Sequence, residues 1–268
     1  MLFYGLLAGV LGGILGIGGG IIFVIILPGV FSQLGVPDSE IVAYTIANSL
    51  FATLFTSLSA NFKHARDGNF YWKPILVISI PAVLVGFVFL HFFVNSLSYS
   101  KTIYDSLFLV VLFFLFLRMW KRQTQLNSQN SVQQIGPDFL LAGYALTGIG
   151  AGTVSSLTGL GGGIFIVPVL HSLVQLPIKK ANAVSMGVIS ITSFSSGLIS
   201  IAANPEAEIQ VSHMGYLVFP VVLFLALGGM VGSFFGVQLS KRMKENWISA
   251  LFMVFLLVVF ILKIRAFL

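Results

Sequence analysis

The chain has 268 residues, 14 Lys+Arg against 8 Asp+Glu for a net charge of +6, 57% hydrophobic and only 8% charged residues, and a mean hydropathy of +1.01. Soluble globular domains carry about 25% charged residues, so this composition is that of a polytopic membrane protein. The absence of cysteine excludes disulfides, thiolate nucleophiles and Cys-bound metals, and the scatter of basic residues over short loops excludes a nucleic-acid partner.

Hydropathy predicts apolar segments at 2–16, 21–34, 41–61, 74–94, 102–120, 139–158, 164–174, 183–203, 216–239 and 247–267. The first starts at Met1-Leu2-Phe3 without a basic n-region and runs into glycines rather than a small-residue cleavage site, so it is expected to be retained structure. Between the first and second segments stands Gly16-Ile17-Gly18-Gly19-Gly20-Ile21. Between the sixth and seventh stands Gly159-Leu160-Gly161-Gly162-Gly163-Ile164. Three consecutive glycines cannot hold a regular helix, because each costs about 1 kcal/mol relative to Ala. Irregular backbone at membrane depth must be buried in protein or line a water-filled cavity. Two breaks at corresponding places in two halves therefore point to a transporter's binding site. The segments that follow them, 21–34 and 164–174, offer about 21 and 17 Å of helix, less than the ~20 residues of a full crossing, and are predicted to be half-helices.

The stretch 121–138 (KRQTQLNSQNSVQQIGPD) is rich in Gln, Asn and Ser and reads as a flexible linker between a first transmembrane repeat, 1–120, and a second, 139–268. Setting Gly16 on Gly159 also sets Gly9 on Gly152, and the next spans align Ser49 on Ser185, Thr56 on Thr192, Ser57 on Ser193 and Ser59 on Ser195. Two blocks agreeing in the same order argue for duplication. Helix contact is the competing explanation for each hydroxyl, and it is the favoured one for Gly9 and Gly13.

The positive-inside rule then orients the halves. If each broken segment were one continuous crossing, Lys63, Arg66, Lys73, Arg118, Lys121, Arg122, Lys263 and Arg265 would face Lys101, Lys179, Lys180, Lys241, Arg242 and Lys244 across the membrane, which is no bias. If each returns to the side it entered, only Lys101, Lys263 and Arg265 are separated from the other eleven. The expected fold is all-α and polytopic, with two inverted repeats, each a Gly-broken, re-entrant-like hairpin plus three transmembrane helices. Both termini are expected outside and the linker 121–138 cytoplasmic.

The twofold G-[hydrophobic]-GGG motif, the second copy extended to GLGGGIFIVP at Gly159 to Pro168, together with about ten apolar segments and a short polar linker, resembles the sulfite exporter TauE/SafE family of bacterial membrane permeases. The first copy departs in placing its proline at Pro28. The resemblance implies movement of small anions, sulfite and organosulfonates being the usual class, across the cytoplasmic (inner) membrane, with no catalytic activity.

The chemistry for anion binding is expected at the breaks. Backbone N–H groups at the start of each half-helix lack an intrahelical partner and, with the helix dipole, form a positive socket. The candidate substrate-binding residues are Gly18, Gly19, Gly20, Asn48, Ser49 and Thr56 in the first half, and Gly161, Gly162, Gly163, Asn182, Ser185 and Thr192 in the second. Every Asp and Glu falls in or beside a loop, so the usual carboxylate proton relay is missing. His91 and His171 lie in or near apolar segments, where an interfacial hydrogen-bonding role outweighs a coupling one. Arg66, Lys101, Lys179 and Lys180 read first as orienting charges, and Trp72, Trp120 and Trp247 as an interfacial belt. The glycine triplets lack the Lys-Ser/Thr of a phosphate-binding loop and no Cys/His metal spacing occurs, so no cofactor, metal or ATP engine is implied. The partners expected are a small anionic substrate and membrane lipid. A passive channel and a non-transporting scaffold stay open as alternatives, and so does a homodimer.

Overall fold

In the computed structural model the described residues are 1–90, 106, 109–110, 112–114, 116–120, 137–205, 209 and 211–267. Nine helices are bounded there: α1 (Leu2–Leu15), α2 (Gly20–Gln33), α3 (Ile41–Arg66), α4 (Trp72–Phe89), α5 (Pro137–Thr158), α6 (Gly163–Ser172), α7 (Ile178–Ala202), α8 (Phe219–Arg242) and α9 (Glu245–Phe267). Residues 109–110, 112–114 and 116–120 are helical as well. Six of the bounded helices, α3, α4, α5, α7, α8 and α9, are long and apolar enough to cross a membrane, while α1, α2 and α6 are shorter. The all-α expectation holds apart from a two-residue antiparallel ladder, β1 (His213–Met214) with β2 (Leu217–Val218). His91, Lys101, most of the linker and much of the fifth apolar segment lie outside the described residues.

Glycine decides where the short helices stop. Gly16 ends α1 in the left-handed region at φ 75°, its N–H bonded to the Gly12 carbonyl at 2.8 Å. Gly159 ends α5 in the same way at φ 71°, bonded to Ser155 at 2.9 Å. Gly18 and Gly19, and Gly161 and Gly162, are left-handed too, a run of conformations that only glycine adopts without steric cost. The arms before the breaks are unequal: α1 has 14 residues and α5 has 22.

Small residues set the packing. A Cβ on Gly9 would lie 2.3 Å from the Gly229 carbonyl oxygen and one on Gly13 2.6 Å from that of Ser233, so α1 lies against the backbone of α8. The contact between α4 and α5 is built alike, with Gly148 and Gly152 positioned so that a Cβ would come within 2.3 Å of the Ile78 and Ala82 carbonyls. Such approaches supply the dispersion contact that drives helix association in lipid, where burial of apolar surface brings no gain. Helices α3 and α7 pack on each other at the centre of the bundle, α3 also against α8 and α7 against α4. Around the breaks Ile14, Leu15, Ile17, Ile21, Ile46, Leu50, Leu160 and Ile164 form one buried cluster. Trp72, Trp120 and Trp247 are exposed, and Trp72 and Trp247 lie at the starts of α4 and α9, as a membrane-interface belt requires.

Candidate functional site: the paired glycine breaks

The two breaks touch. A Cβ on Gly20 would lie 2.9 Å from the Leu160 carbonyl oxygen, and one on Gly163 would lie 2.8 Å from Ile17 Cα and 2.9 Å from the Gly16 carbonyl oxygen. Each half-helix thus starts against the turn of the other motif. Residues 12–24 and 154–164 are all buried, the glycines included, so this is a closed arrangement. The N-caps of α2 and α6 are Gly19 and Gly162, neither of which offers a side-chain acceptor. The Ile22 N–H bonds the Gly19 carbonyl at 3.1 Å and the Phe165 N–H the Gly162 carbonyl at 3.0 Å, and no side chain caps the N–H groups ahead of them, the condition for binding an anion at a helix start.

The carbonyl ends are capped crosswise. Ser49 of α3 donates to the Gly159 carbonyl at 2.7 Å, and Ser185 of α7 donates to the Gly16 carbonyl at 2.7 Å. Asn182 packs its Cα and Cβ at Gly16 and donates to the Ile14 carbonyl at 2.8 Å, while its buried Oδ1 has no partner among the described residues. The glycines, Ser49, Asn182 and Ser185 are thus brought together, as the sequence grouped them.

Three other candidates stand elsewhere. Asn48 is saturated by the Tyr44 and Tyr216 carbonyls at 2.7 Å each and by the Val218 N–H at 2.9 Å, and so pins the short ladder to α3. Thr56 bonds back to the Ala52 carbonyl and abuts Gly229 of α8. Thr192 bonds back to Val188 and lies beside Gly86, Gly152 and Ser156, between α4, α5 and α7.

Two residues outside the candidate set are at the junction. Thr53 Cγ2 lies 2.7 Å from a Cβ on Gly18 and 3.0 Å from one on Gly161, and its Oγ1 lies 3.0 Å from one on Gly20. Ser193 Oγ lies 3.6 Å from a Cβ on Gly161. Both side chains are 0% exposed and both hydroxyl oxygens lack a partner among the described residues. Burying a hydroxyl unpaired is costly, so two at one spot mark a place suited to a polar guest. Thr53 escaped the repeat match because its counterpart, at the spacing that pairs Ser49 with Ser185, is Ile189, which fills the other side of the junction within 3.4 Å of Cβ positions on Gly18, Gly161 and Gly163.

A charged end lies at the C-termini of α3 and α8 and the N-terminus of α7. Asp67 forms ion pairs with Lys241 and with Lys63, the latter at 3.4 Å, and Lys179 donates to the Lys241 carbonyl at 3.0 Å. The Lys241 ammonium, and then Lys63, hold the Asp67 carboxyl below the ordinary carboxylate range. Lys180 sits 4.9 Å over the Tyr71 ring, and His171 bonds the Leu176 carbonyl at 2.8 Å, closing the turn after α6.

The family model described as Sulfite exporter TauE/SafE matches residues 1–262. The chain belongs to the TauE/SafE family. It is 31% identical over 248 residues to a probable membrane transporter protein of Methanocaldococcus jannaschii, covering 92% of this chain and 87% of the relative. It is 26% identical to a probable membrane transporter protein of Haemophilus influenzae, over 96% and 94% of the two chains. A probable membrane transporter protein of Bacillus subtilis matches at 25% identity over 95% and 93%. No solved structure matches the chain. As a TauE/SafE protein this is a multi-pass membrane transporter and not an enzyme.

Proposed function

We propose that the chain is a secondary transporter of a small sulfur-containing anion, of sulfite or organosulfonate type, working by alternating access around the paired breaks. One observation carries this reading: two buried helix N-termini without side-chain caps abut beside the unpartnered hydroxyls of Thr53 and Ser193. Backbone donors of both half-helices and hydroxyl donors then hold an oxyanion without a buried cation. Inverted repeats are supported by reciprocal contacts: α1 with α8 and α5 with α4, Ser49 with Gly159 and Ser185 with Gly16. The gathering of Lys63, Asp67, Lys179 and Lys241 at one end supports the returning path of the broken segments, with that end cytoplasmic in the inner membrane and both chain termini outside.

The test is thermal stabilisation of the purified chain by sulfite, sulfate, thiosulfate, a C2 sulfonate and acetate, beside Gly162→Ala. The alanine places a methyl on a backbone at φ 78° and 3.1 Å from the Ala151 carbonyl oxygen. Stabilisation by a sulfur oxyanion that this variant loses is the expected result. Stabilisation that survives in full reduces the breaks to packing devices. Single cysteines at Ser39 and Ser128, labelled by an impermeant reagent in intact cells, check the orientation: Ser39→Cys is expected to react and Ser128→Cys is not.

A further inference from the structure

Thr53, Ser57, Ala60 and His64 recur along α3 at spacings of four, three and four, so they share one face, and all are buried. That face meets α7 and α8: Ala60 clusters with Met186, Ile189 and Val237, and the adjacent Asn61 donates to the Met186 carbonyl and to Ser190 Oγ. His64 is 8% exposed, and neither ring nitrogen has a hydrogen-bond partner among the described residues. Asn61 Oδ1 is unpartnered too. A buried seam thus runs from Thr53 at the breaks to the Asp67–Lys241 pair, apolar at Ala60 and with an unsatisfied imidazole at its outer end.

We propose that His64 is a proton-binding site whose protonation opens the α3–α7–α8 end of the seam and so links access to the breaks to pH. The idea deepens the transporter reading and rests on it for its purpose. The charges that act on the ring are Lys241 from α8 and Asp67 in the turn after α3; Asp67 pairs with Lys241 and Lys63, and Lys179 from α7 donates to the Lys241 carbonyl. In the closed arrangement an imidazolium has no acceptor and lies in the field of Lys241, while Asp67 is engaged by both lysines. Opening parts Lys241 from Asp67 and wets the seam. Water then solvates the imidazolium, and the freed Asp67 carboxylate, three residues on, becomes its counter-charge. The proton comes from water at the open face and goes to a ring nitrogen; no other bond forms or breaks. A ligand shifts a two-state equilibrium only by its preference for one state, and this proton prefers the open one. Histidine is the side chain that changes charge in the neutral range.

The experiment uses a full-length chain carrying Ser190→Cys, a buried seam position in a protein without cysteine, and a small methanethiosulfonate reagent. Rates are normalised to the exposed Ser39→Cys. From about pH 8 to about pH 5.5 the normalised rate is expected to rise about fivefold or more, a shift within reach of one protonation, and His64→Gln is expected to abolish the rise. His64→Asn replaces it if the glutamine variant does not purify as a folded species. A normalised rate that does not rise, or a rise that persists without the imidazole, overturns the proposal. The labelling needs no anion, so its failure is distinct from failure of the transport reading, which a radiolabelled sulfite counterflow in liposomes would register separately.

Discussion

Thr53→Val separates stability from binding at the junction. Thr56 and Thr192 satisfy their hydroxyls on the carbonyl four residues back, the usual habit of threonine in a helix. Thr53 does not, and its Oγ1 is fully buried without a partner among the described residues. An unsatisfied buried hydroxyl carries a desolvation penalty of about 1–3 kcal/mol. Valine keeps the shape and removes the penalty, while a methyl, bulkier than the hydroxyl it replaces, returns part of the gain as overpacking in the closed junction. The net expectation is stabilisation by about 1 kcal/mol, or about 2–4 °C in Tm for a chain of this size. On the proposed reading the same substitution removes a donor from the anion site, so stabilisation by added sulfite is expected to shrink. Thermal denaturation of both proteins in one detergent, with and without sulfite, reads both effects. A lowered Tm with an undiminished sulfite response would refute the reasoning, because it would make the hydroxyl a structural contact and not a ligand.

Gly9→Ala is expected to cost about 2 kcal/mol, since its methyl would meet the Gly229 carbonyl at 2.3 Å and α1 must move off α8; sulfite stabilisation of the folded fraction should be unchanged, as thermal denaturation with and without sulfite will tell. Asp67→Asn probes the charged end. The Asp67 carboxyl is depressed in the folded protein, so its contribution is complete above the unfolded value of about 3.9 and fades as pH falls through the lower folded one. The pair is partly solvated, so the substitution should cost about 0.2–1 kcal/mol near neutral pH. The Tm difference from the parent protein should close in acid below about pH 4, whereas a difference constant with pH would show that the charge is not its source.

The breaks were legible in the sequence because three glycines in a row contradict the helix that the surrounding apolar run demands. Ser49 and Ser185 were legible because the halves repeat, and crosswise capping gives both the same task, whereas Asn182 stood out as an amide inside an apolar span. The same reasoning overlooked Thr53, because a search for matched hydroxyls discards a threonine whose counterpart is Ile189. It overlooked His64 for a different reason: Lys63 and Arg66 beside it make the segment read as a loop, yet α3 continues to Arg66 and turns that side chain inward. Asn48, by contrast, was conspicuous as an amide inside a span, but the ladder it pins spans four paired residues, too short to leave a periodic signal. Repeats reveal what two halves share. What lies at the junction in one half alone emerges only from packing.

The crosswise serine caps bear on how the protein is made. The Gly16 carbonyl is finished by Ser185 and the Gly159 carbonyl by Ser49, so neither half contains all the donors its own backbone needs. As the chain leaves the ribosome, the first hairpin must wait in the bilayer for about 170 more residues before its helix end is completed, holding an unpaired carbonyl that lipid cannot satisfy. Synthesised alone, the amino-terminal half would be an obligate client of the insertion machinery or of a second copy, and a gene split at the linker should yield protein only when both pieces are translated in the same cell.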